Sequence, residues 1–356
     1  MNTFSQSLIN WYDQKKYSFP WRETSNPYYI WVSEIMLQQT QVNTVIPFYK
    51  AWIKKFPTIN DVAKASDEEI LKYWEGLGYY QRALNLRDAC ITIITNYNSE
   101  IPQKKEELLS LKGVGDYTAS AIASIAFGAP YPAIDGNLKR IMSRLLSLPN
   151  FKIDSLNKIK DFLIKEINNN RPGDFNQALM DIGRTICKPR TPKCIDCPIS
   201  IFCLSFKNKT THLFPIKNKN KKIIPHYDIG VGVIWNNDKI LITKRKKNQL
   251  LGGLWEFPGG KIKNNESILH CIQREAKEEL GIKIQVKEFI KTVNHQYSHF
   301  KITLHAYHCQ YLSGKIKCIE VDDWEWINPK SFSDYPFPKA NHYIFPEILN
   351  NNERAC

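Results

Sequence analysis

The sequence predicts a two-domain protein, an all-α domain followed by an α+β domain, and three features of the chain predict it. Up to about residue 205 the apolar residues recur mostly at helical spacing, with breaks at Pro57, Gly76, Gly78, Pro102, Pro172 and Gly173. From Lys207 to Lys222 the chain carries six lysines and no acidic residue, the composition of a solvated linker. Beyond it, IGVGVIW, KILITKR and KITLHAYHCQY are short, rich in β-branched and aromatic residues, and surround a single helical stretch from about Ser267 to Leu280. The expected bounds are 1–206 for the helical domain, 207–225 for the basic linker and 226–350 for the α+β domain.

Length and composition agree with two cores. The chain has 356 residues, 43% hydrophobic and 12% aromatic, whereas single cores seldom grow past about 250 residues. A net charge of +14 favours a polyanionic partner. Nucleic acid comes first, because a membrane surface usually also demands an amphipathic or lipidated anchor. The start, MNTFSQSLINWYDQKK, has no continuous apolar segment, and the long low-charge stretch from Thr118 to Ile134 is broken by Gly128, Pro130 and Pro132. Neither a signal peptide nor a transmembrane helix is expected, and no membrane partner. Of nine cysteines, four crowd into residues 187–203 and the rest are scattered. That pattern suits metal ligation in a reducing compartment better than a disulfide framework, so a cytoplasmic protein is expected. A monomer is expected as well.

In the helical half the first chemical motif is CKPRTPKCIDCPISIFC, which spaces Cys187, Cys194, Cys197 and Cys203 by six, two and five residues. Thiolates so close need a metal to screen them. Tetrahedral zinc and a four-iron four-sulfur cluster both take four thiolates, and spacing alone leaves the choice open. Lys188, Arg190 and Lys193 on the same loop suit phosphate contact or plain solvation.

LLSLKGVGDYTASAIASIAFG reads as a helix end, a turn at Gly113 and Gly115, and a second helix rich in small residues. Glycines permit the tight turn and leave the N–H groups of the new helix open to a phosphate, although many such turns only join helices. Glu34, within YIWVSEIMLQQTQV, has Trp31, Ile35 and Leu37 as neighbours that would desolvate its carboxyl and make it a proton donor. The same pattern fits a partly exposed helix glutamate. Asp135, in AIDGNLKR, fits a catalytic carboxylate or an ordinary helix cap.

Taken in order, PWRETSNPYYIWVSEIMLQQTQV, YWEGLGYYQRALNL, LKGVGDYTASAIASIAFG, AIDGNLKR and the cysteine loop resemble the helix-hairpin-helix DNA glycosylases of the endonuclease III superfamily, most closely the MutY-type adenine DNA glycosylase family. The resemblance implies two helical subdomains around a cleft and selects a 4Fe-4S cluster over zinc. It implies a monofunctional enzyme of base excision repair acting on double-stranded DNA with adenine opposite 8-oxoguanine or guanine. Glu34 would protonate the departing adenine, Asp135 would stabilise the oxocarbenium-like sugar, and Tyr117 and Asn137 would line the same site. Gln39 and Tyr79 would enter the duplex, with Arg22, Gly113 and Gly115 also at DNA. A strand-cleaving relative needs a lysine amine in the hairpin, where this chain has Tyr117.

In the second half, GGKIKNNESILHCIQREAKEELGI carries every position of the Nudix signature. Ile268, Ile272, Ala276 and Leu280 form an apolar stripe, leaving Glu275, Glu278 and Glu279 on the neighbouring side, where oxygen ligands can gather a divalent ion such as Mg2+. Without a cation these like charges at helical spacing repel. In the adenine DNA glycosylase family a Nudix-like domain recognises 8-oxoguanine, and NHQYSHF resembles its recognition loop, with Tyr297 in place of phenylalanine, and Ser298 and His299 matching. FPKANHYIF resembles a stretch of the Nudix hydrolases of oxidised dGTP, which makes Asn341 a candidate base-recognition residue. The intact signature leaves two expectations: a recognition module alone, or a dual-function enzyme that also hydrolyses 8-oxo-dGTP.

Overall fold

The computed structural model describes residues 3–15, 17–216, 224–297 and 299–352, and groups them into two compact units. The units do not follow chain order. Residues 1–64 and 85–221 form the first, whereas residues 65–84, expected within the helical domain, cluster with the C-terminal residues from 222 on.

Helices α1 (Phe4–Lys15), α2 (Pro27–Leu37), α3 (Val42–Lys55) and α4 (Ile59–Lys64) open the chain; α5 (Asp67–Trp74) and the first turn of α6 (Gln81–Asn96) belong to the second unit. The first unit resumes through α7 (Lys105–Leu109), α8 (Asp116–Phe127), α9 (Gly136–Leu145), α10 (Ile153–Glu166), α11 (Pro172–Thr185) and α12 (Leu204–Lys207). Helix α2 starts where Pro27 follows Asn26, whose side chain accepts from Tyr28 N. It is buried nearly all round, from Tyr28 and Ile30 to Met36, and a helix with no polar face belongs inside. It packs on α8, whose Ala119, Ser120, Ala121, Ala123 and Ser124 are small enough to let the two backbones close up. A second core joins α1, α9, α10 and α11 through Phe4, Leu8, Ile141, Leu163, Phe175 and Ile182.

Between α8 and α9 the loop 129–135 has no regular structure, and Asn176 of α11 supplies its hydrogen bonds. Asn176 Oδ1 accepts from Ala133 N at 3.0 Å, and Nδ2 donates to Tyr131 O at 2.9 Å and to Ser124 Oγ at 2.8 Å. This buried amide sets where the chain enters α9, and so where Asp135 lies.

Part of the expected linker is folded. Phe214 O accepts from Arg144 Nε and Ile216 N donates to Pro149 O, so the chain up to residue 216 still packs on the first unit. Residues 217–223 lie outside the described residues.

The second unit holds a mixed sheet of β1 (His226–Asn236), β2 (Lys239–Lys244), β3 (Trp255–Glu256), β4 (Gly259–Lys261), β5 (Lys283–Gln296), β6 (Lys301–Ser313) and β7 (Asp323–Ile327). Its order is β3-β2-β1-β6-β5, with β4 paired to β1 and β7 to β2, and only β1 and β6 run parallel. Helix α13 (Ile268–Leu280) covers one face through Ile272, Ala276 and Leu280. The other face carries Val231, Val233, Ile240 and Ile242 against α14 (Lys339–His342) and α15 (Phe345–Asn352). The apolar stripe read from sequence on α13 is thus the buried one, although Ile268 is only partly covered. Strand β5 and the two terminal helices had no clear periodicity to announce them.

Replacing Asn176 by Ala leaves Ala133 N–H and Tyr131 C=O buried without their partner. The expected loss is about 2 to 4 kcal/mol in unfolding free energy, read from urea denaturation of the purified chain.

Candidate active site

Glu34 lies in the middle of α2 at 4% exposure, and Tyr117, one residue into α8, donates from its hydroxyl to Glu34 Oε2 at 2.7 Å. Burial pushes the Glu34 carboxyl up to about 7; the Tyr117 hydrogen bond opposes this, the charge of Asp135 adds to it and Arg22 opposes it. At neutral pH the group is therefore poised between its two forms. The Tyr117 hydroxyl is held well above its ordinary value by burial and by the two carboxylates, so it acts as a donor, not a phenolate.

Asp135 is the N-cap of α9. Oδ1 accepts from Leu138 N at 2.6 Å and Oδ2 from Asn137 Nδ2 at 2.8 Å, so the cap reading holds, and the capping carboxylate also lines the cavity of Glu34. Arg140 holds Asn137 in turn, donating to its Oδ1 at 3.0 Å and also to Gly183 O and Cys187 O. Glu34, Tyr117, Asp135 and Asn137 wall one cavity of about 540 Å3, together with Arg22 and Asp181.

Arg22, expected at DNA, lies mostly buried in the wall of this cavity and donates to Asp181 Oδ2 at 2.7 Å. Asp181, at 2% exposure, also accepts from Arg184 at 3.2 Å. Asp181, Arg184 and Arg140 escaped the sequence reading because α11 and α9 show only ordinary amphipathic spacing around them.

At the hairpin, Gly113 has φ +79 and a Cβ there would meet Asn85 Cβ at 2.8 Å, so glycine is required. Gly115 has an ordinary extended φ of −93 and instead begins α8 without a side-chain cap, which leaves the helix N-terminus to an outside acceptor. Gln39 is exposed and held at φ +60, a conformation that L residues seldom adopt unless the surroundings impose it.

Cys187, Cys194, Cys197 and Cys203 all line one small cavity, otherwise walled by Ile141, Ile182, Ile186 and Ile199. Arg144, at 3% exposure, donates to Cys187 Sγ at 3.3 Å and to Lys188 O and Pro189 O, pinning the loop to α9. Burial, reinforced by the other thiols, raises Cys194 and pushes Cys197 up to about 12. Thiolates form in such a place only with a cationic group to bind. Among the described residues no three Cys, His, Asp or Glu side chains close on one point as the ligands of a single ion would.

In the second unit Tyr79 also has a positive φ, +49, and its hydroxyl lies 3.5 Å from His299 Nε2. Tyr297 stacks on Phe300 with centroids 4.7 Å apart, while Ser298 lies outside the described residues. A cavity of about 740 Å3 is walled by Tyr297, His299, Asn341, Glu256, Glu275 and Glu279. Asn341 is buried there at 4% exposure.

The three signature glutamates, expected around a shared cation, divide between two surroundings in this structure. Arg274, the first residue of REAKEELGI, donates to Glu266 at 2.6 and 2.9 Å, to Glu275 at 2.6 Å and to Glu278 at 2.7 Å. Glu278 turns to this guanidinium and to Lys263, away from the cavity. Glu279 faces it, accepts from Gly259 N at 3.3 Å, and is raised well above its ordinary value by burial, Glu256 and Glu275. Glu256 is paired with Arg245 at 2.6 and 2.7 Å. A Cβ on Gly260 would lie 2.3 Å from Glu275 Cδ, which is why the signature has glycine there.

Residues 32–163 match the family described as HhH-GPD superfamily base excision DNA repair protein, and residues 230–347 match the NUDIX domain. Curated relatives named adenine DNA glycosylase include one from Homo sapiens, 32% identical over 100% of this chain and 76% of its own length. Another, from Buchnera aphidicola subsp. Schizaphis graminum, is 35% identical over 85% of both chains. A third, from Arabidopsis thaliana, is 34% identical over 81% of this chain, which spans only 53% of that relative. Among solved structures, a thermostable thymine-DNA glycosylase shares 30% identity and a TM-score of 0.54 over 58% of this chain and 95% of its own. An endonuclease III in a non-covalent DNA complex shares 26% and 0.50 over 59% and 99%.

The raised carboxyl at Glu34 makes the native state less stable as it ionises. Below its unfolded value, near 4.5, both states are protonated and the penalty is absent; it grows as pH rises towards 7 and is complete above. Glu34→Gln cannot ionise, so at pH 8 it is expected to be more stable than the parent by a few (~3) kcal/mol, with the gap closing near pH 4, as measured by urea unfolding at both pH values.

Proposed function

The chain belongs to the adenine DNA glycosylase family, and from that premise we propose that it excises adenine mispaired with 8-oxoguanine or guanine in double-stranded DNA. One observation carries the chemistry: a buried carboxyl with a value of about 7, Glu34, shares a cavity with a second, half-buried carboxylate, Asp135. A purine leaves its sugar readily only when its ring is protonated, and the sugar left behind is cationic. Glu34, kept neutral by burial, donates the proton to the imidazole ring of the extruded base. Asp135 faces the developing positive charge, its own position set by Leu138 N–H and Asn137. Tyr117 orients Glu34 and offers no amine for a Schiff base, so bond cleavage ends at base release. Water adds at the sugar carbon that lost the base and gives up a proton to a carboxylate of the site, which restores the proton that Glu34 donated.

DNA is held, on this reading, by the uncapped start of α8 at Gly113 and Gly115 and entered by Gln39 and Tyr79. The four-cysteine cavity fits a 4Fe-4S cluster held by Cys187, Cys194, Cys197 and Cys203, because four partly buried thiols around a largely apolar cavity suit a group of several atoms. Such a cluster would supply a redox-capable cross-link within the loop. Arg144 supplies a cation beside Cys187 and, through α9, ties that loop to the helix that Asp135 caps.

For the C-terminal domain the recognition role is favoured by Arg274, which already neutralises Glu266, Glu275 and Glu278. Tyr297, Ser298 and His299 would meet 8-oxoguanine. The dual-function reading has its own support, since Glu256, Glu275 and Glu279 share a cavity with the buried Asn341. A Mg2+ ion held there would polarise a phosphoryl oxygen.

Excision from an adenine:8-oxoguanine duplex is expected to drop by about 100-fold or more in Glu34→Gln while duplex binding persists. In the parent the single-turnover rate is expected to fall as pH rises through about 7, because the proton donor is then lost, and borohydride is expected to trap no protein on DNA. Under the recognition reading, purified protein releases no magnesium-dependent pyrophosphate from 8-oxo-dGTP. Release that disappears in Glu279→Gln would establish the dual function instead.

A further inference from the structure

The second unit contains a network that none of the motifs announces. Residues 65–84 meet the C-terminal residues through three acidic side chains. Asp67 pairs with Lys247, and Glu68 accepts from Lys244 Nζ at 2.6 Å and Trp255 Nε1 at 3.2 Å. Glu75 is the most enclosed of the three. It caps the end of α5 and accepts from Phe337 N at 2.7 Å, His342 Nε2 at 2.8 Å and Lys72 Nζ at 2.8 Å. Lys72 in turn donates to Tyr335 O at 3.1 Å.

Both sides of this contact lead to candidate DNA-reading residues. On one side Glu75 starts the turn Gly76–Tyr79, in which Trp74 Nε1 and Arg82 both donate to Gly78 O at 3.1 and 3.0 Å, holding Tyr79 in its unusual conformation. On the other side Phe337 leads into Pro338, Ala340 and Asn341, which wall the cavity of about 740 Å3. Tyr297 walls the same cavity as Ala340, and its N–H closes the 297–300 loop on Phe300 O at 2.9 Å. His299, on that loop, returns to Tyr79.

We propose that Glu75 is a positioning residue that locks the Tyr79 turn to the 297–300 loop, so that recognition of an oxidised purine by the loop and insertion of Tyr79 beside the target base occur as one event. The inference rests on the reading that Tyr79 and His299 meet DNA. Glu75 itself touches no substrate. Its carboxylate is the acceptor that joins the two backbones, and losing it leaves Phe337 N–H and His342 without their partner while the cavity walls and Tyr79 keep their own residues. Energy gained from the oxidised base then no longer reaches the inserting residue.

The test compares single-turnover excision from adenine:8-oxoguanine and adenine:guanine duplexes, using full-length protein corrected for active fraction. Glu75→Ala is expected to lower the ratio of the two rates by about tenfold. His342→Ala, at a partly exposed position, should lower it in the same direction, and the double variant should add nothing further, because both removals break one contact. Glu75→Gln, which keeps a carbonyl acceptor for Phe337 N–H, should recover part of the ratio. A merely structural role would lower both rates together and leave the ratio alone, and that result overturns the proposal. So does an unchanged ratio in Glu75→Ala when Tyr79→Ala lowers it. If Tyr79→Ala also leaves the ratio unchanged, the underlying reading of Tyr79 fails and the inference falls with it.

Discussion

The first unit depends on the burial of one ionisable group. Glu34 sits on a helix with no polar face, and the only hydroxyl offered to its Oε2 by a described hydrogen bond is that of Tyr117. Burying a carboxyl favours its neutral form, and that bias is what turns an ordinary glutamate into a proton donor near neutral pH. The surrounding packing sustains it: α8 can lie close enough to bring Tyr117 within 2.7 Å because the residues it turns towards α2 are small. The cavity is thus a consequence of how two helices pack.

The opposite carboxylate is placed by different physics. Asp135 is held as a helix cap, with backbone and side-chain donors on both oxygens, and the loop before it is fixed by one buried amide on α11. Helix α9, which Asp135 begins, also carries Arg140 and Arg144 to the cysteine loop. The Asp135 cap and the cysteine loop are therefore both held by one helix.

In the second unit the organising feature is the balance of paired charge. Arg274 and Arg245 divide the acidic residues between them, Arg274 taking Glu266, Glu275 and Glu278 and Arg245 taking Glu256, while Glu279 is left to a backbone N–H and a raised protonation range. A carboxylate row that looks repulsive along the helix is neutralised from within the same signature. Glu75, contributed from far earlier in the chain, extends the same economy of acidic acceptors to the segment that carries Tyr79.

Much of this was legible in the sequence because it depends on local pattern. The apolar stripe of α13, the four spaced cysteines and the turn at Gly113 are all short-range features, and each has a physical cause that acts within a few residues. Motif order was enough to bring Glu34, Tyr117, Asp135 and Asn137 together as candidates, and they do share one cavity. What sequence could not show were pairings between residues far apart. The partner of Arg22 is Asp181, 159 positions away, and no local motif announces that pairing. The spacing of the signature did not show that Arg274 would reach Glu266, Glu275 and Glu278 at once, and nothing in residues 65–84 marked them as partners of residues more than 150 positions later. Local sequence determined which side chains could do chemistry; the long-range packing, by deciding which charges lose their water and which counter-ion replaces it, determined which of them are placed to do so.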